Sequence, residues 1–257
     1  MKIKILGSGG VTGVPRWSCS CDVCTKEVKK DKRNIRTRPS IMVSSGNKII
    51  VVDLGQDFRQ HMLREGIKKI DYVLLTHEHL DHIASISELG RGGKVNLEMP
   101  KELFEKIKKT MSSRFLYLKT RNPDIKINVF KPKKIGNIFV EQIAVKHEKD
   151  YSKEKIPTFG YLFKEGNKKA AYIPDYNKII DMDKVRDLDV FISDGATFES
   201  RWGHVGVKGS IEMYKKLKPK LMILTHLNHF MSHKALEKYA GKFGNIRPAY
   251  DGMVIEL

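Results

Sequence analysis

The amino-acid sequence predicts an α/β fold in which two mixed β-sheets carry helices on their outer faces. Short β-branched and aromatic runs recur along the 257 residues, and helical patterns separate only some of them. Because strands outnumber helices and several strands arrive consecutively, we expect two layered sheets. No internal repeat and no long Pro, Gly or Ser linker interrupts the chain, so residues 1–257 are expected to form a single domain.

The individual elements follow from the hydrophobic pattern. Apolar runs predict strands at 2–6, 40–43, 48–52, 72–75, 125–129, 138–145, 161–163, 170–173, 190–192, 221–224 and 253–257. Apolar residues at helical spacing predict helices around 56–64, 80–88, 100–113, 207–216 and 232–243.

Four glycines follow the first predicted strand, namely Gly7, Gly9, Gly10 and Gly13. They do not form the dinucleotide-binding fingerprint, because Thr12 stands where its last glycine is required. We interpret the cluster as a tight turn that lets the backbone pass close to a site.

The overall composition indicates a globular protein, with 40% hydrophobic and 30% charged residues. The longest apolar runs are far shorter than the roughly 20 residues that a membrane span needs. The opening residues MKIKILGSGG are typical of a strand rather than a signal peptide. We therefore expect a cytoplasmic protein without a membrane partner.

The formal net charge of +18 favours an anionic partner such as nucleic acid, a phosphorylated metabolite or acidic lipid. Much of the excess is lysine spread over predicted helices, which is equally typical of solvated surfaces. The densest cluster, KKDKRNIRTR at 29–38, directly follows the cysteines.

The motif THEHLDH at 76–82 is the strongest functional signal. It crowds His77, His79, Asp81 and His82 into the turn between a predicted strand and a predicted helix. Imidazoles and a carboxylate packed this densely need a cation to offset desolvation and repulsion. Alternation places His77 and His79 on one side of the chain, whereas Asp81 and His82 can face a second ion. The spacing therefore predicts two metal sites.

Further candidate ligands stand where other apolar strands end. His147 follows FVEQIAVK, Asp175 follows KKAAYIP, and His226 follows LMILT. In three independent strands a residue that can bind metal follows the apolar run, and this repetition strengthens the metal-site hypothesis.

Other polar residues of the same kind receive different interpretations. Asp53, after the run IIVV, is expected to accept an N–H from a ligand histidine and fix its tautomer. His61 and His233 lack a strand-end context and are interpreted as ordinary packed or surface residues. Asp194 in FISDG is left undecided.

The sequence resembles the metallo-β-lactamase superfamily, whose H-x-H-x-D-H signature His77, His79, Asp81 and His82 match. The later ligands follow in that family's order. The resemblance implies an αββα sandwich and a dinuclear centre. Its implied ligands are His77, His79 and His147 for one ion, Asp81, His82 and His226 for the other, and Asp175 as the bridge.

The three cysteines of the chain, Cys19, Cys21 and Cys24, lie within six positions. An odd number of thiols does not form a closed disulfide set, and three thiolates favour a soft ion. A structural zinc is closed by four ligands, and His229 lies three residues beyond His226. We therefore predict a structural zinc bound by the cysteines and His229, a zinc knuckle near 19–24. Reactive thiolate nucleophiles remain the alternative.

Such a zinc would tie the loop at 10–24 to the strand end that carries His226, so the loop would border the dinuclear site. Arg16, Trp17, Arg36 and Arg38 are therefore candidate substrate contacts.

The knuckle beside a dinuclear site is similar to the cyclic-phosphate phosphodiesterases of the carbon-phosphorus lyase pathway. The matching segments are Gly13-Val14-Pro15, the three cysteines, Phe159-Gly160-Tyr161-Leu162, Thr225-His226, His229 and Asp251-Gly252-Met253. The resemblance extends more loosely to Arg201-Trp202-Gly203-His204, and it implies a catalytic histidine at His204.

The expected chemistry is hydrolysis of a small anionic phosphodiester. Two divalent ions, zinc or manganese, would hold a bridging hydroxide, with Asp81 and Asp175 as catalytic ligands. After these carboxylates and the hydroxide are counted, about one positive charge remains for the substrate anion. His204 is expected to protonate the departing alkoxide.

Two other functions remain open. An RNA endonuclease resembling the tRNA 3′-processing enzymes would use the same metals and favour the +18 charge, with RNA as its partner. A relative that is non-catalytic or acts in quinone-cofactor biosynthesis would keep the fold and the zinc. A homodimer is also left open.

Overall fold

Two β-sheets face each other, and helices cover their outer surfaces, in a computed structural model that describes residues 1–147 and 156–257. The strands are β1 Lys2–Gly7, β2 Ser40–Ser45, β3 Lys48–Val52, β4 Tyr72–Leu74, β5 Asn96–Met99, β6 Lys126–Val129, β7 Lys133–Ile135, β8 Ile138–Lys146, β9 Thr158–Glu165, β10 Lys168–Ile173, β11 Lys178–Ile179, β12 Val190–Asp194, β13 Leu221–Thr225, β14 Ile246–Pro248 and β15 Val254–Glu256. The helices are α1 Val28–Lys30, α2 Phe58–Arg64, α3 Leu80–Ile83, α4 Lys101–Thr110, α5 Ser112–Arg121, α6 Gly206–Leu217 and α7 His233–Ala240.

The first sheet has the strand order β15-β1-β2-β3-β4-β5-β6. The second has the order β11-β8-β9-β10-β12-β13-β14, with β7 paired to β8. Both sheets are mixed, because β3 to β6 are parallel in one and β10, β12, β13 and β14 are parallel in the other. The predicted fold class, two mixed sheets with helices outside, is confirmed.

Three hydrophobic clusters explain why these layers form. One cluster lies between the sheets and joins Ile3 and Val43 of the first to Tyr161 and Ile223 of the second. A second cluster packs α4 and α5 onto the first sheet, and a third packs α6 and α7 onto the other. Residues on opposite faces of each strand therefore enter different clusters, as the period-2 geometry of a strand requires.

Several short elements differ from the sequence prediction. The strands β5, β7, β11 and β14 and the helix α5 were not predicted, because each offers too few residues or too polar a pattern for a periodic signal. The predicted helix at 80–88 is the short α3 followed by a 3₁₀ segment, Ile86–Arg91. Within the described ranges, the helices do not combine the length and apolar character that crossing a bilayer requires.

The parallel strands bring the predicted functional residues to one edge. Val52 pairs with Leu74, so the residues after β3 and β4 emerge together. Asp194 pairs with Thr225, so Asp194 lies beside the residue that precedes His226. Because the carboxyl ends of parallel strands meet at the same edge, residues that are distant in sequence converge there.

A buried hydroxyl joins the sheets beside this edge. Tyr161 donates a hydrogen bond to the carbonyl oxygen of Leu75 over 2.7 Å, and both residues are fully buried. Tyr172, equally buried on the neighbouring strand, has a hydroxyl without a hydrogen-bond partner among the described residues. The two tyrosines therefore allow a buried hydroxyl that is hydrogen-bonded to be compared with one that is not.

Tyr161→Phe should destabilise the fold, because it leaves the Leu75 carbonyl buried without its donor, which costs about 1–3 kcal/mol. In a chain of this size each kcal/mol lowers Tm by about 2–4 °C. Tyr172→Phe is the matched control and should leave Tm unchanged or raise it, since its hydroxyl is unpaired. Calorimetry that gives equal losses for the two variants would contradict the role of the Tyr161 hydrogen bond.

Candidate metal centres

The predicted catalytic ligands meet in one buried cluster at the shared sheet edge. The cluster consists of His77, His79, Asp81, His82, His147, Asp175 and His226. All are buried except His79, which is partly exposed. These side chains come from four separate segments of the chain, so only the folded chain brings them together.

Asp53 supports this cluster from beneath. Its carboxylate accepts hydrogen bonds from the amide and hydroxyl of Thr76 and lies 2.8 Å from Nδ1 of His82. The contact favours a proton on Nδ1 and leaves Nε2 of His82 directed to the cluster. Asp53 has a φ of 67°, an unusual conformation for a residue other than glycine. The expected role of Asp53, fixing the tautomer of a ligand histidine, agrees with these contacts.

His77, His79 and His147 form the first group of potential ligands, with their ligand atoms within 4.8 Å of one another. Nε2 of His77 lies 2.9 Å from Nδ1 of His79. Nδ1 of His147 lies 2.8 Å from the Gly203 carbonyl oxygen, which leaves its Nε2 available. Burial lowers the pKa of all three imidazoles, that of His79 to about 4. Neutral imidazoles are the form that binds metal.

Asp81, His82 and His226 form the second group. Oδ2 of Asp81 lies 3.1 Å from Nε2 of His226 and 3.5 Å from Nε2 of His82. Burial disfavours a charged His82, but the carboxylates of Asp81, Asp53 and Asp175 outweigh it and hold the pKa of His82 well above its usual value. His226 has a φ of 60°, so the backbone is strained at a second residue of the site.

Asp175 lies between the two groups. Its Oδ2 is 2.9 Å from Nε2 of His82 and 4.0 Å from Nε2 of His77. Its Oδ1 is 3.3 Å from Nε2 of His226. Despite its burial, the neighbouring imidazoles of His226, His82 and His204 hold the pKa of Asp175 well below its usual range. This position fits the predicted bridging carboxylate.

Two buried atoms that lack a suitable hydrogen-bond partner indicate that the cluster fits a cation. Nε2 of His82 and Oδ2 of Asp175 are buried, and neither has a hydrogen-bond partner of good geometry among the described residues. Unpaired buried polar atoms are costly unless something compensates them. A divalent ion would satisfy both, and the imidazole and carboxylate donors suit zinc or manganese.

His204 and Asp194 border the cluster as a pair. Nδ1 of His204 lies 3.2 Å from Oδ2 of Asp194 and 3.2 Å from Oδ1 of Asp175. Although burial opposes it, Asp194 leads the carboxylates that raise the pKa of His204 to about 9. The undecided Asp194 is fully buried and is held in place by the amide of Ala196, 2.8 Å away.

The cluster opens into a pocket with a cavity volume of about 370 Å³. Besides the ligands and His204, its walls include Val11, Leu80 and Trp202. Isolated apolar positions carry no pattern in a sequence, so these residues could not be predicted as site residues. Trp202 stood only within a loosely matching segment.

The cysteine knuckle is also assembled. Cys19, Cys21, Cys24 and His229 place their ligand atoms within 4.8 Å of one another, and the thiols are free. Both Sγ of Cys19 and Sγ of Cys21 lie 3.3 Å from Nδ1 of His229. Three sulfurs and one imidazole nitrogen at this spacing fit the closed ligand set of a structural zinc.

The candidate substrate arginines are placed differently from one another. Arg36 is only 1% exposed, and its guanidinium donates to the carbonyl oxygens of Asn228 and Met231. The prediction that Arg36 contacts substrate is therefore wrong, because the side chain instead fixes the loop that carries His229. Arg38 donates to the Val11 carbonyl and pairs with Asp57.

The two remaining candidates lie on the knuckle loop. Arg16 is exposed, and its amide donates to Sγ of Cys24 over 3.4 Å. Trp17 is 96% exposed and does not contribute to the described wall of the pocket. Their contact with substrate stays a prediction.

Two facing mixed sheets with a histidine and aspartate cluster at one edge define the metallo-β-lactamase fold. A family model described as a β-lactamase superfamily domain matches residues 48–227. The chain belongs to this superfamily.

Three similar proteins carry different names. An octanoyltransferase from Porphyromonas gingivalis is 28% identical over 241 residues, which cover 89% of this chain but only 46% of that protein. The chain thus spans about half the length of that relative. Coenzyme PQQ synthesis protein B from Methylorubrum populi is 25% identical over 304 residues and matches over 100% of both chains. A solved diphosphatase of the PhnP family has a TM-score of 0.82 and 28% identity, covering 100% of this chain and 97% of that chain.

Asp175→Ala should prevent binding of the two ions predicted for the cluster and leave the zinc predicted for the knuckle, because Asp175 contacts both ligand groups. Elemental analysis should then find about one metal equivalent per chain. Asp189→Ala is the matched control, because Asp189 is a buried aspartate that pairs with Lys220 outside the cluster. Full metal occupancy in Asp175→Ala would refute the bridging role.

Cys21→Ala should remove about one equivalent of zinc and lower Tm, because binding of a structural zinc contributes directly to folding. Thr25→Ala is the control in the same turn, since Thr25 bonds only to the Cys21 carbonyl oxygen and offers no thiol. A Tm equal to that of the wild type, measured by calorimetry, would exclude a structural knuckle.

Proposed function

We propose that this chain is a metal-dependent phosphodiesterase that hydrolyses small cyclic phosphodiesters, of the phosphoribosyl cyclic phosphate or 2′,3′-cyclic nucleotide type. The observation that carries the proposal is His204, which pairs with the buried Asp194 and lines the same pocket as the bridging candidate Asp175. A proton donor beside a dinuclear cluster is what an alkoxide leaving group requires. The similarity to a diphosphatase of the PhnP family supports hydrolysis at phosphorus.

The ions would be held by His77, His79 and His147 on one side and by Asp81, His82 and His226 on the other. When bound, two divalent ions supply Lewis acidity and a water of lowered pKa. Asp175 lies between the two groups and would fix the spacing between their donor atoms. Asp53 maintains the ring orientation of His82 through its 2.8 Å contact.

His204 acts as the general acid in this proposal. Asp194 lies at Nδ1 and favours the imidazolium, so the proton on Nε2 is the one available for transfer to the leaving oxygen. Asp194 belongs to neither ligand group, so its effect on His204 persists when the ions bind. The amide of Ala196 holds the carboxylate of Asp194 and limits its rotation.

A role in quinone-cofactor biosynthesis is the second candidate. The full-length match to coenzyme PQQ synthesis protein B favours it, because coverage is complete in both chains. The two candidates predict different activities for the same cluster.

A side-by-side assay separates these functions. Metal-loaded protein should hydrolyse 2′,3′-cyclic nucleotides and bis(p-nitrophenyl) phosphate, with added manganese or zinc. Cleavage of pre-tRNA alone would favour the RNA endonuclease, and no turnover of any phosphodiester would remove the proposed function.

His204→Ala should lower kcat by about 10²–10⁴-fold for esters with alkyl leaving groups, because these depart only after protonation. Esters of p-nitrophenol should lose far less, since that leaving group is stable as an anion. Elemental analysis should find the catalytic ions retained, and Asp194→Asn should reproduce part of the loss. Equal losses for both ester classes would remove the acid role.

A further inference from the structure

The turn Arg201–His204 is fixed on the rim of the pocket. The amide of Arg201 donates to the carbonyl of His204 over 3.0 Å, and the reverse bond is 2.9 Å. The Gly203 carbonyl lies 2.8 Å from Nδ1 of His147, and Nδ1 of His204 lies 3.2 Å from Oδ1 of Asp175. The turn is therefore tied to the cluster at two points, which limits its freedom.

Trp202 lies at the tip of this turn, with an unfavourable backbone conformation and a half-exposed side chain. Its φ is 55°, a conformation that bulky side chains rarely adopt, and its side chain is 49% exposed. The guanidinium carbon of Arg201 lies 4.1 Å from the ring centroid and covers one face. No other aromatic ring contacts Trp202 among the described residues.

Packing does not explain this placement, because Trp202 belongs to none of the hydrophobic clusters described above. A strained, half-exposed tryptophan on a fixed turn has the properties of a binding surface. The ring lines the same pocket as Asp175 and His204. A ligand whose phosphate lies at the cluster would therefore have the indole within reach of its other end.

We propose that Trp202 is a stacking platform for the nucleobase of the substrate. This inference rests on the proposed function and narrows it, because a bare phosphoribosyl cyclic phosphate has no planar ring for the indole. The preferred substrate is then a nucleoside 2′,3′-cyclic phosphodiester. The cavity of about 370 Å³ lies within the range of roughly 300–1,000 Å³ for small-molecule sites.

The stacked arrangement also sets the expected selectivity. Stacking on an aromatic ring tolerates every base, because each base has a π-face. Arg201 on the opposite face makes a layered stack of guanidinium, indole and base. Purine and pyrimidine substrates should therefore both be accepted, with purines favoured by their larger ring area.

Kinetics with paired substrates test the platform. Trp202→Ala should lower kcat/KM for 2′,3′-cyclic AMP by about 5- to 150-fold, the range for loss of one stacked base. The loss should appear mainly in KM, since stacking binds ground state and transition state alike. Methyl riboside 2′,3′-cyclic phosphate, which has no base, should change less than about twofold. Trp202→Phe should recover most of the loss.

Tyr117→Ala is the matched control, because Tyr117 is 40% exposed and has Arg121 5.8 Å from its ring, away from the pocket. It should affect neither substrate. Equal losses on both substrates in Trp202→Ala, or no loss on either, would overturn the platform.

A binding measurement separates this inference from the proposed function. Trp17 and Trp202 are the two tryptophans of the chain, so Trp17→Phe leaves Trp202 as the fluorescent reporter. In metal-loaded Trp17→Phe, adenosine 3′-monophosphate should quench the fluorescence, whereas ribose 5-phosphate should not. Absence of quenching, or equal quenching by both, would overturn the platform even if phosphodiesters are hydrolysed. Quenching without turnover would uphold the platform and refute the hydrolytic function.

Discussion

The rest of the molecule depends on one requirement, which is that the buried charges of the histidine and aspartate cluster at the sheet edge must be compensated. Nε2 of His82 and Oδ2 of Asp175 lie 2.9 Å apart inside the protein, and neither atom has a hydrogen bond of good geometry among the described residues. Such a cluster is costly without cations. The fold supports it with parallel strands that end together, with the strained backbone of Asp53 and His226, and with a carboxylate beneath His82. These features have a common explanation if the edge exists to hold metal.

The cysteine knuckle also restrains the loops that border the pocket. His229 links the cysteine loop to the loop that follows His226, and Arg36 fixes that loop from inside. The backbone passes so close that a Cβ on Gly10 would lie 2.9 Å from Oδ1 of Asn228 and 3.2 Å from Nδ1 of His226. The interpretation of the first glycines as a turn beside a site therefore agrees with the structure. Rigid positioning of this rim also explains how Val11 becomes a wall of the pocket.

The sequence predicted what periodicity and residue chemistry encode. Long apolar strands and the dense motif at 76–82 carried enough signal to indicate the two sheets and the residues that cluster at their edge. Short elements such as β5 and β14 escaped, because pairing with neighbours rather than their own pattern stabilises them. Arg36 was misjudged, because a basic run does not reveal which guanidinium turns inward. The roles of Asp194 and Trp202 could not be predicted, because they depend on neighbours that only the folded chain brings close.

Anomalous diffraction from metal-loaded crystals, collected at the zinc and manganese absorption edges, tests the central claim most directly. We expect one peak among Cys19, Cys21, Cys24 and His229, and two neighbouring peaks on either side of Asp175. A single peak at the cysteines after full loading with both metals would contradict the dinuclear centre and the hydrolytic function that depends on it.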